Sequence, residues 1–155
     1  MALALRPEDL YHTGIVVPDL DAAMARFAVL AGYRWIKPMR FTLPFRTDAG
    51  TRELTSNFVY SQQAPYLELI QETPGTPWVA APGNAVHHLG YFADDLAEAG
   101  KALEYNGFTL EMTADVPGSA LAMFAYYVDA GGTRIEIVDR ALFPDFPAFV
   151  QSQAQ

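Results

Sequence analysis

The alternation of apolar and polar positions changes rhythm twice along this chain, in the same way each time. The stretch YHTGIVVPDLDAAMARFAVLAGY begins at residue 11 and HHLGYFADDLAEAGKALEYNGF at residue 87. Each opens on a short, partly β-branched apolar run that stops at an acidic turn, as a half-buried strand does. The period then lengthens. From Asp19 the apolar residues fall at Leu20, Met24, Phe27 and Leu30, and from Asp95 at Leu96, Ala99 and Leu103, the spacing of an amphipathic helix. Asp19 and Asp95 read as N-caps, while Gly32 and Gly107 stand where a helix end needs the left-handed conformation.

The two stretches align with His12 on His88, Gly14 on Gly90 and Asp19 on Asp95. Farther on, FVYSQQAPYLELIQ (58–71) lies over YYVDAGGTRIEIVD (126–139) without a gap, and each reads as a hairpin. Strand-like runs at 57–60 and 66–71, and at 125–128 and 133–138, flank turn residues. The chain therefore predicts an α+β fold made of two tandem βαβββ modules, the mark of an internal duplication. Module one spans about 8–72, an irregular Pro- and Gly-bearing linker 73–86, module two about 87–140 and a tail 141–155, all within one domain. The offset between copies is 76 at the histidines but 68 at Glu68 and Glu136, so the first copy holds eight extra residues, placed near 37–52. In the tail, Phe143, Phe146 and Phe149 are expected to pack against the body or a second subunit.

Strand parity puts His12, Gly14 and Val16 on one face and Thr13, Ile15 and Val17 on the other, toward the helix. His88 and Gly90 repeat this arrangement, with glycine leaving open space beside each imidazole. In YLELIQ and RIEIVD a single carboxylate, Glu68 or Glu136, interrupts an apolar run. Burying it unaccompanied would cost several kcal/mol, roughly, so each needs a cation, hydrogen bonds or a proton. If the two sheets face each other, two imidazoles and two carboxylates converge, and a divalent cation is their simplest common partner. One histidine alone would be an ordinary core residue and one glutamate an ordinary surface residue; their repetition at matching places favours the metal. His87 has the opposite parity and is expected to face away.

Composition narrows the reading further. With 155 residues, 51% of them hydrophobic, the chain can bury a substantial core, and with no cysteine any metal must be held by nitrogen and oxygen. A net charge of −8 argues against nucleic acid, and no segment has the length and apolarity of a membrane span or a secretory signal, so a soluble cytoplasmic protein is expected. Five of the ten basic residues, Arg34, Lys37, Arg40, Arg46 and Arg52, crowd into one stretch. It reads as a solvated loop, or more sharply as a segment that meets an anionic group of a substrate. No GxSxG elbow accompanies the three histidines, so a hydrolytic triad has no support.

HTGIVVPDLDAAMARF, YLELIQ, HHLGYFADDL and RIEIVD together resemble the repeated signatures of the vicinal oxygen chelate superfamily, over roughly residues 10–140. That group includes glyoxalase I, methylmalonyl-CoA epimerase, extradiol dioxygenases and the fosfomycin and bleomycin resistance proteins. The resemblance implies that the modules form a curved, partly closed mixed sheet around a central cleft, with His12, Glu68, His88 and Glu136 as metal ligands. It implies one divalent ion (Zn, Ni, Co, Mn or Mg) and a lyase, isomerase or epimerase that moves a proton beside a chelated carbonyl, with Glu136 or Glu68 as the base and Glu72 as a weaker candidate. The substrate would be a small molecule with adjacent oxygens, met by Tyr60, Phe58, Tyr126 and Arg46, with Tyr66, Trp78, Arg40 and Arg52 as further candidates, and a homodimer is expected. The alternatives are an Fe(II) extradiol-type dioxygenase using His12, His88 and Glu136, or a metal-free binding or resistance protein.

Overall fold

The computed structural model describes residue 3 and residues 5–154. Its strands and helices run β1 (Leu10–Val17), α1 (Leu20–Ala31), β2 (Met39–Thr47), β3 (Gly50–Tyr60), β4 (Leu67–Gln71), β5 (His88–Ala93), α2 (Leu96–Tyr105), β6 (Thr109–Ala114), β7 (Phe124–Val128), β8 (Arg134–Asp139) and α3 (Phe146–Ser152). The βαβββ order thus occurs twice. The strands form one mixed sheet with the hydrogen-bonded order β1-β4-β3-β2-β6-β7-β8-β5, closing on itself.

Two compact units divide the chain, and they do not coincide with the two sequence copies. One, the His12 unit, comprises residues 12–41, 55–87 and 145–154; the other, the His88 unit, comprises 42–54, 88–144 and the described residues up to 11. From Met39 onward the basic stretch read as a solvated loop is instead strand, carrying Arg40, Arg46 and Arg52, with β2 and the first part of β3 meeting at the turn Asp48–Ala49. Arg34 and Lys37 precede it outside any strand. The alternation of Phe41, Leu43 and Phe45 is the signal that the cluster of charges and Pro44 obscured. Within the His88 unit β2 pairs antiparallel with β6, Phe45 opposite Ala114, and the Pro44 carbonyl accepts from the Asp115 N–H at 2.9 Å. The extra residues of the first copy therefore extend a hairpin that belongs with the second copy's unit.

In the His12 unit, the carboxylate of Asp19 accepts from the Ala22 N–H at 3.0 Å, and Gly32 closes α1 at φ 74°. These are the start and stop read from the sequence. Ile15 and Val17 turn toward Ala22, Ala23 and Phe27 of α1, as strand parity requires. The linker 73–86 carries no strand or α-helix, only a 3-10 turn at Pro82–Asn84, yet it is anchored: Trp78 is fully buried, and its carbonyl accepts from Thr73 N–H at 2.8 Å.

In the His88 unit, α2 is capped by Asp95, which accepts from Glu98 N–H at 3.1 Å, and packs on Ala125, Tyr127, Ile135 and Ile137. Gly100 lies within α2. Alanine normally improves a helix interior over glycine by roughly 1 kcal/mol, but a Cβ here would stand 2.5 Å from the Tyr127 hydroxyl and 3.0 Å from Leu121 Cδ1. Burial first, and then the Glu104 carboxylate, push that Tyr127 hydroxyl up to about 12, so it is neutral. The segment before β1 is held by ions: Asp9 accepts from Arg140 at 2.6 Å and from Arg6 at 3.3 Å, and Arg140 also reaches Asp94 at 2.6 Å and lies over the Phe92 ring. Burial would raise the Asp9 carboxyl, but the hydrogen bonds and charges of Arg6 and Arg140 outweigh it and hold it below 3.8.

Two outcomes follow. Gly100→Ala is expected to lower stability by about 1–3 kcal/mol through overpacking, read as a reduced urea midpoint; a raised midpoint would contradict this packing. Because folding lowers the Asp9 pKa, its contribution is complete above the unfolded value and disappears as pH falls through the folded one. The stability gap between the protein and Asp9→Asn should therefore be widest above about pH 5 and shrink toward about pH 3, with denaturant titrations at each pH as the check.

Candidate metal centre

Each copy builds half of a donor set with the same piece of backbone. In the His12 unit β1 and β4 run parallel with Gly14 opposite Glu68, and β3 and β4 antiparallel with Tyr60 opposite Glu68. His12, two residues before Gly14, shares the face of Glu68. The His88 unit repeats the register: β5 lies parallel to β8 with Gly90 opposite Glu136, and β7 lies antiparallel to β8 with Tyr126 opposite Glu136. All four side chains are buried, His12 and His88 at 2% and 1% exposure, Glu68 and Glu136 at 5% each.

Within the pairs, His12 Nε2 lies 3.4 Å from Glu68 Oε1 and His88 Nε2 lies 3.5 Å from Glu136 Oε1. A charge-assisted N–H···O bond would measure about 2.7–2.9 Å. Two ligands each about 2.1 Å from one cation stand about 3.0–3.4 Å apart at octahedral or tetrahedral angles. The observed spacing is closer to that of neighbouring ligands. One ligand atom from each of His12, Glu68, His88 and Glu136 lies within 4.8 Å of the others, so this buried set of two nitrogens and two oxygens can hold a metal ion. Donors of this type suit borderline or hard divalent ions and not Cu(I).

Aromatic rings flank each imidazole. Tyr60 meets the His12 ring edge-on at 5.6 Å and Tyr126 lies 5.1 Å from the His88 ring. Phe58, half-buried, stands edge-to-face with Tyr60 and near Phe41. Trp78 is interior to the linker, and Tyr66 packs against Phe146. Arg40 and Arg52 are exposed, whereas the Arg46 guanidinium donates to the Ala120 carbonyl. Glu72 accepts from the Ala80 N–H at 2.7 Å and so fastens the linker. His87 faces away from the donor set, as its parity implied: it is buried, and its Nε2 lies 2.8 Å from the Pro77 carbonyl oxygen.

Two features of this face were not read from the sequence. Arg134, two residues before Glu136 on the same side of β8, donates from Nε and Nη2 to the two oxygens of Glu111 at 2.7 and 2.9 Å. Burial opposes the charge on Arg134, but the Glu111 hydrogen bond and charge and the neighbouring Tyr126 hold its pKa above the usual value. The parity of Arg134 could have signalled it; Glu111 falls at a register shift between Leu110 and Met112, which periodicity does not foresee. The other is where Phe146 lands: its packing against the body was expected, but not that its partners are Tyr60 and Tyr66.

Compared with known protein families, residues 11–127 match the Glyoxalase/Bleomycin resistance protein/Dioxygenase superfamily. No curated protein matches the sequence. Among solved structures, methylmalonyl-CoA epimerase from Mycobacterium tuberculosis is similar at a TM-score of 0.59 and 20% identity, covering 90% of this chain and 91% of that one. A methylmalonyl-CoA epimerase in complex with methylmalonyl-CoA and NH4+ aligns at 0.58 and 17% identity (89% and 95% covered). A Streptomyces coelicolor methylmalonyl-CoA epimerase variant in complex with 2-nitronate-propionyl-CoA aligns at 0.56 and 18% (89% and 98% covered). These likenesses carry the fold. Among the described residues, no helix is long and apolar enough to cross a membrane.

Since His87 serves the linker, His87→Ala is expected to cost about 1–3 kcal/mol of stability through the lost buried hydrogen bond while leaving metal content unchanged. Elemental analysis beside a thermal melt separates the two effects, and a loss of bound metal would place His87 in the donor set after all.

Proposed function

Because the chain belongs to the Glyoxalase/Bleomycin resistance protein/Dioxygenase superfamily, we propose that it is a metal-dependent lyase, isomerase or epimerase that transfers a proton beside a chelated carbonyl. The observation that carries this reading is the buried His12, Glu68, His88 and Glu136 set, with one imidazole and one carboxylate drawn from each copy. A divalent ion bound there would serve as a Lewis acid, acidifying the C–H next to a substrate carbonyl and stabilising the charge that develops on oxygen.

The protein's own groups do the rest. His12 and His88 supply nitrogen donors held on strands, so little reorganisation accompanies binding. Glu136 or Glu68 accepts the substrate proton at a carboxylate oxygen and returns it, to the same carbon for an epimerase or to its neighbour for an isomerase. The duplication supplies two carboxylates, so that one could accept the proton and the other return it. Burial of both keeps bulk water from competing for the proton. Tyr60 and Phe58 beside His12, and Tyr126 beside His88, would offer apolar contacts to a small substrate with adjacent oxygens, and Arg46 would be the cation for an anionic substituent. A 2-substituted malonyl thioester, such as the methylmalonyl-CoA of one epimerase complex, has the required pair of neighbouring carbonyl oxygens and an acidic carbon between them.

The direct test is elemental analysis of untreated protein beside Glu68→Gln, followed by deuterium exchange. Wild type is expected to carry a stoichiometric divalent ion and Glu68→Gln distinctly less; metal-loaded wild type should incorporate solvent deuterium at the acidic carbon of methylmalonyl-CoA. Glu136→Gln should slow that exchange about 10²-fold or more, the usual scale for removing a general base. A wild-type protein that binds no divalent ion ends this reading, and a loaded protein that exchanges no proton restricts it to metal binding.

A further inference from the structure

Outside the repeat, the tail segment 145–154 folds onto the chemical face of the His12 unit. Asp145 caps α3 by accepting from Ala148 N–H at 3.0 Å. The helix is tied to the end of β3: the Gln62 side chain donates to the Val150 carbonyl at 3.1 Å, and the Gln151 side chain donates to the Gln62 carbonyl at 2.9 Å. Beyond it, the Lys37 N–H donates to the Gln153 carbonyl at 2.9 Å and Ile36 bridges Ala154. This anchoring delivers Phe146, 4% exposed, between Tyr60 and Tyr66, edge-on to both at centroid distances of 5.0 and 4.9 Å.

The contact matters because of which face it occupies. Tyr60 lies opposite Glu68 in the β3–β4 register and so shares its side of the sheet, and Tyr66 has the same parity on the approach to β4. Tyr60 is therefore held by Phe146, Phe58 and the His12 ring, in three edge contacts. By strand register the counterpart of Tyr60 is Tyr126, two residues before the Val128 that the ungapped alignment gives, while the position aligned with Tyr66 is Arg134, which is engaged by Glu111. The duplication thus repeats the donors but fastens the two halves by different means.

We propose that Phe146 is a positioning residue for the metal centre: through Tyr60 it fixes the His12 imidazole, so that the C-terminal helix forms part of the first half-site. This rests on the metal reading of the preceding subsection. A side chain that orients a ligand typically changes metal affinity by 10–100-fold when removed, whereas one that only adds stability leaves the affinity of the folded protein unchanged.

The experiment compares Phe146→Ala and Phe146→Leu with Val59→Ala by Co2+ titration, following visible absorption, alongside thermal melts. Val59 is fully buried opposite Leu69, on the side of β3 away from Tyr60, so its truncation costs stability without touching that aromatic chain. Expected is a loss of Co2+ affinity of about 10-fold or more in Phe146→Ala with an altered absorption envelope, a smaller loss in Phe146→Leu, which keeps the helix docked, and wild-type affinity in Val59→Ala. If Phe146→Ala does not fold, Phe146→Leu decides. Affinity and spectrum unchanged in both Phe146 variants, or an equal loss in Val59→Ala, would overturn the proposal while wild type still binds Co2+. Wild type that binds none would overturn the underlying metal reading and this one with it.

Discussion

A carboxylate buried on an apolar strand is the constraint around which the rest of this molecule is arranged. Glu68 and Glu136 each lie within a short, largely hydrophobic strand, Glu68 between partly buried Leu67 and buried Leu69, and Glu136 between buried Ile135 and Ile137. Removing such a charge from water costs several kcal/mol, roughly, unless positive charge or hydrogen-bond donors meet it. The fold brings an imidazole to each carboxylate at 3.4 and 3.5 Å. A dication shared by all four groups would offset both carboxylates at once and keep both imidazoles neutral as ligands.

The surrounding structure keeps that arrangement on one face and its support on the other. Parallel pairing of the first strand of each copy with the last brings glycine directly opposite glutamate, and the same strands turn Ile135 and Ile137 back onto α2. Period-two alternation thus separates chemistry from packing within five or six residues. The tyrosines beside the histidines lie between these functions, being large, buried and on the chemical side. Their second partners differ, so equivalent donors sit in unequal surroundings. An asymmetric environment is what two carboxylates need if they are to take different roles toward one substrate.

Where local pattern and local structure agree, the sequence was legible in detail. Both helices begin at the expected aspartates, each hairpin uses the expected runs, and the parity of His12, His88 and His87 is as their positions demand. The basic stretch was not legible, because a cluster of arginines around Pro44 has the composition of a loop while its apolar residues alternate as a strand does. Pairing with β6 supplies the energy that composition does not reveal, and it transfers residues 42–54 to the other copy's compact unit. The Glu111 register shift and the partners on which Phe146 packs were likewise invisible, since each depends on a segment distant in the chain.

By itself the sequence determined the duplication, the α+β alternation and which two histidines and two glutamates were candidates for a shared site. These follow from short-range periodicity and from the cost of burying polar groups, both of which are written into neighbouring residues. Only the tertiary structure decided that one ligand atom from each of these four side chains comes within 4.8 Å of the others, which of many aromatics stand beside the imidazoles, and that Phe146 of the tail packs on Tyr60 and Tyr66. Those outcomes depend on strand register and on packing between segments tens of residues apart, where a shift of one residue would turn every side chain to the opposite face.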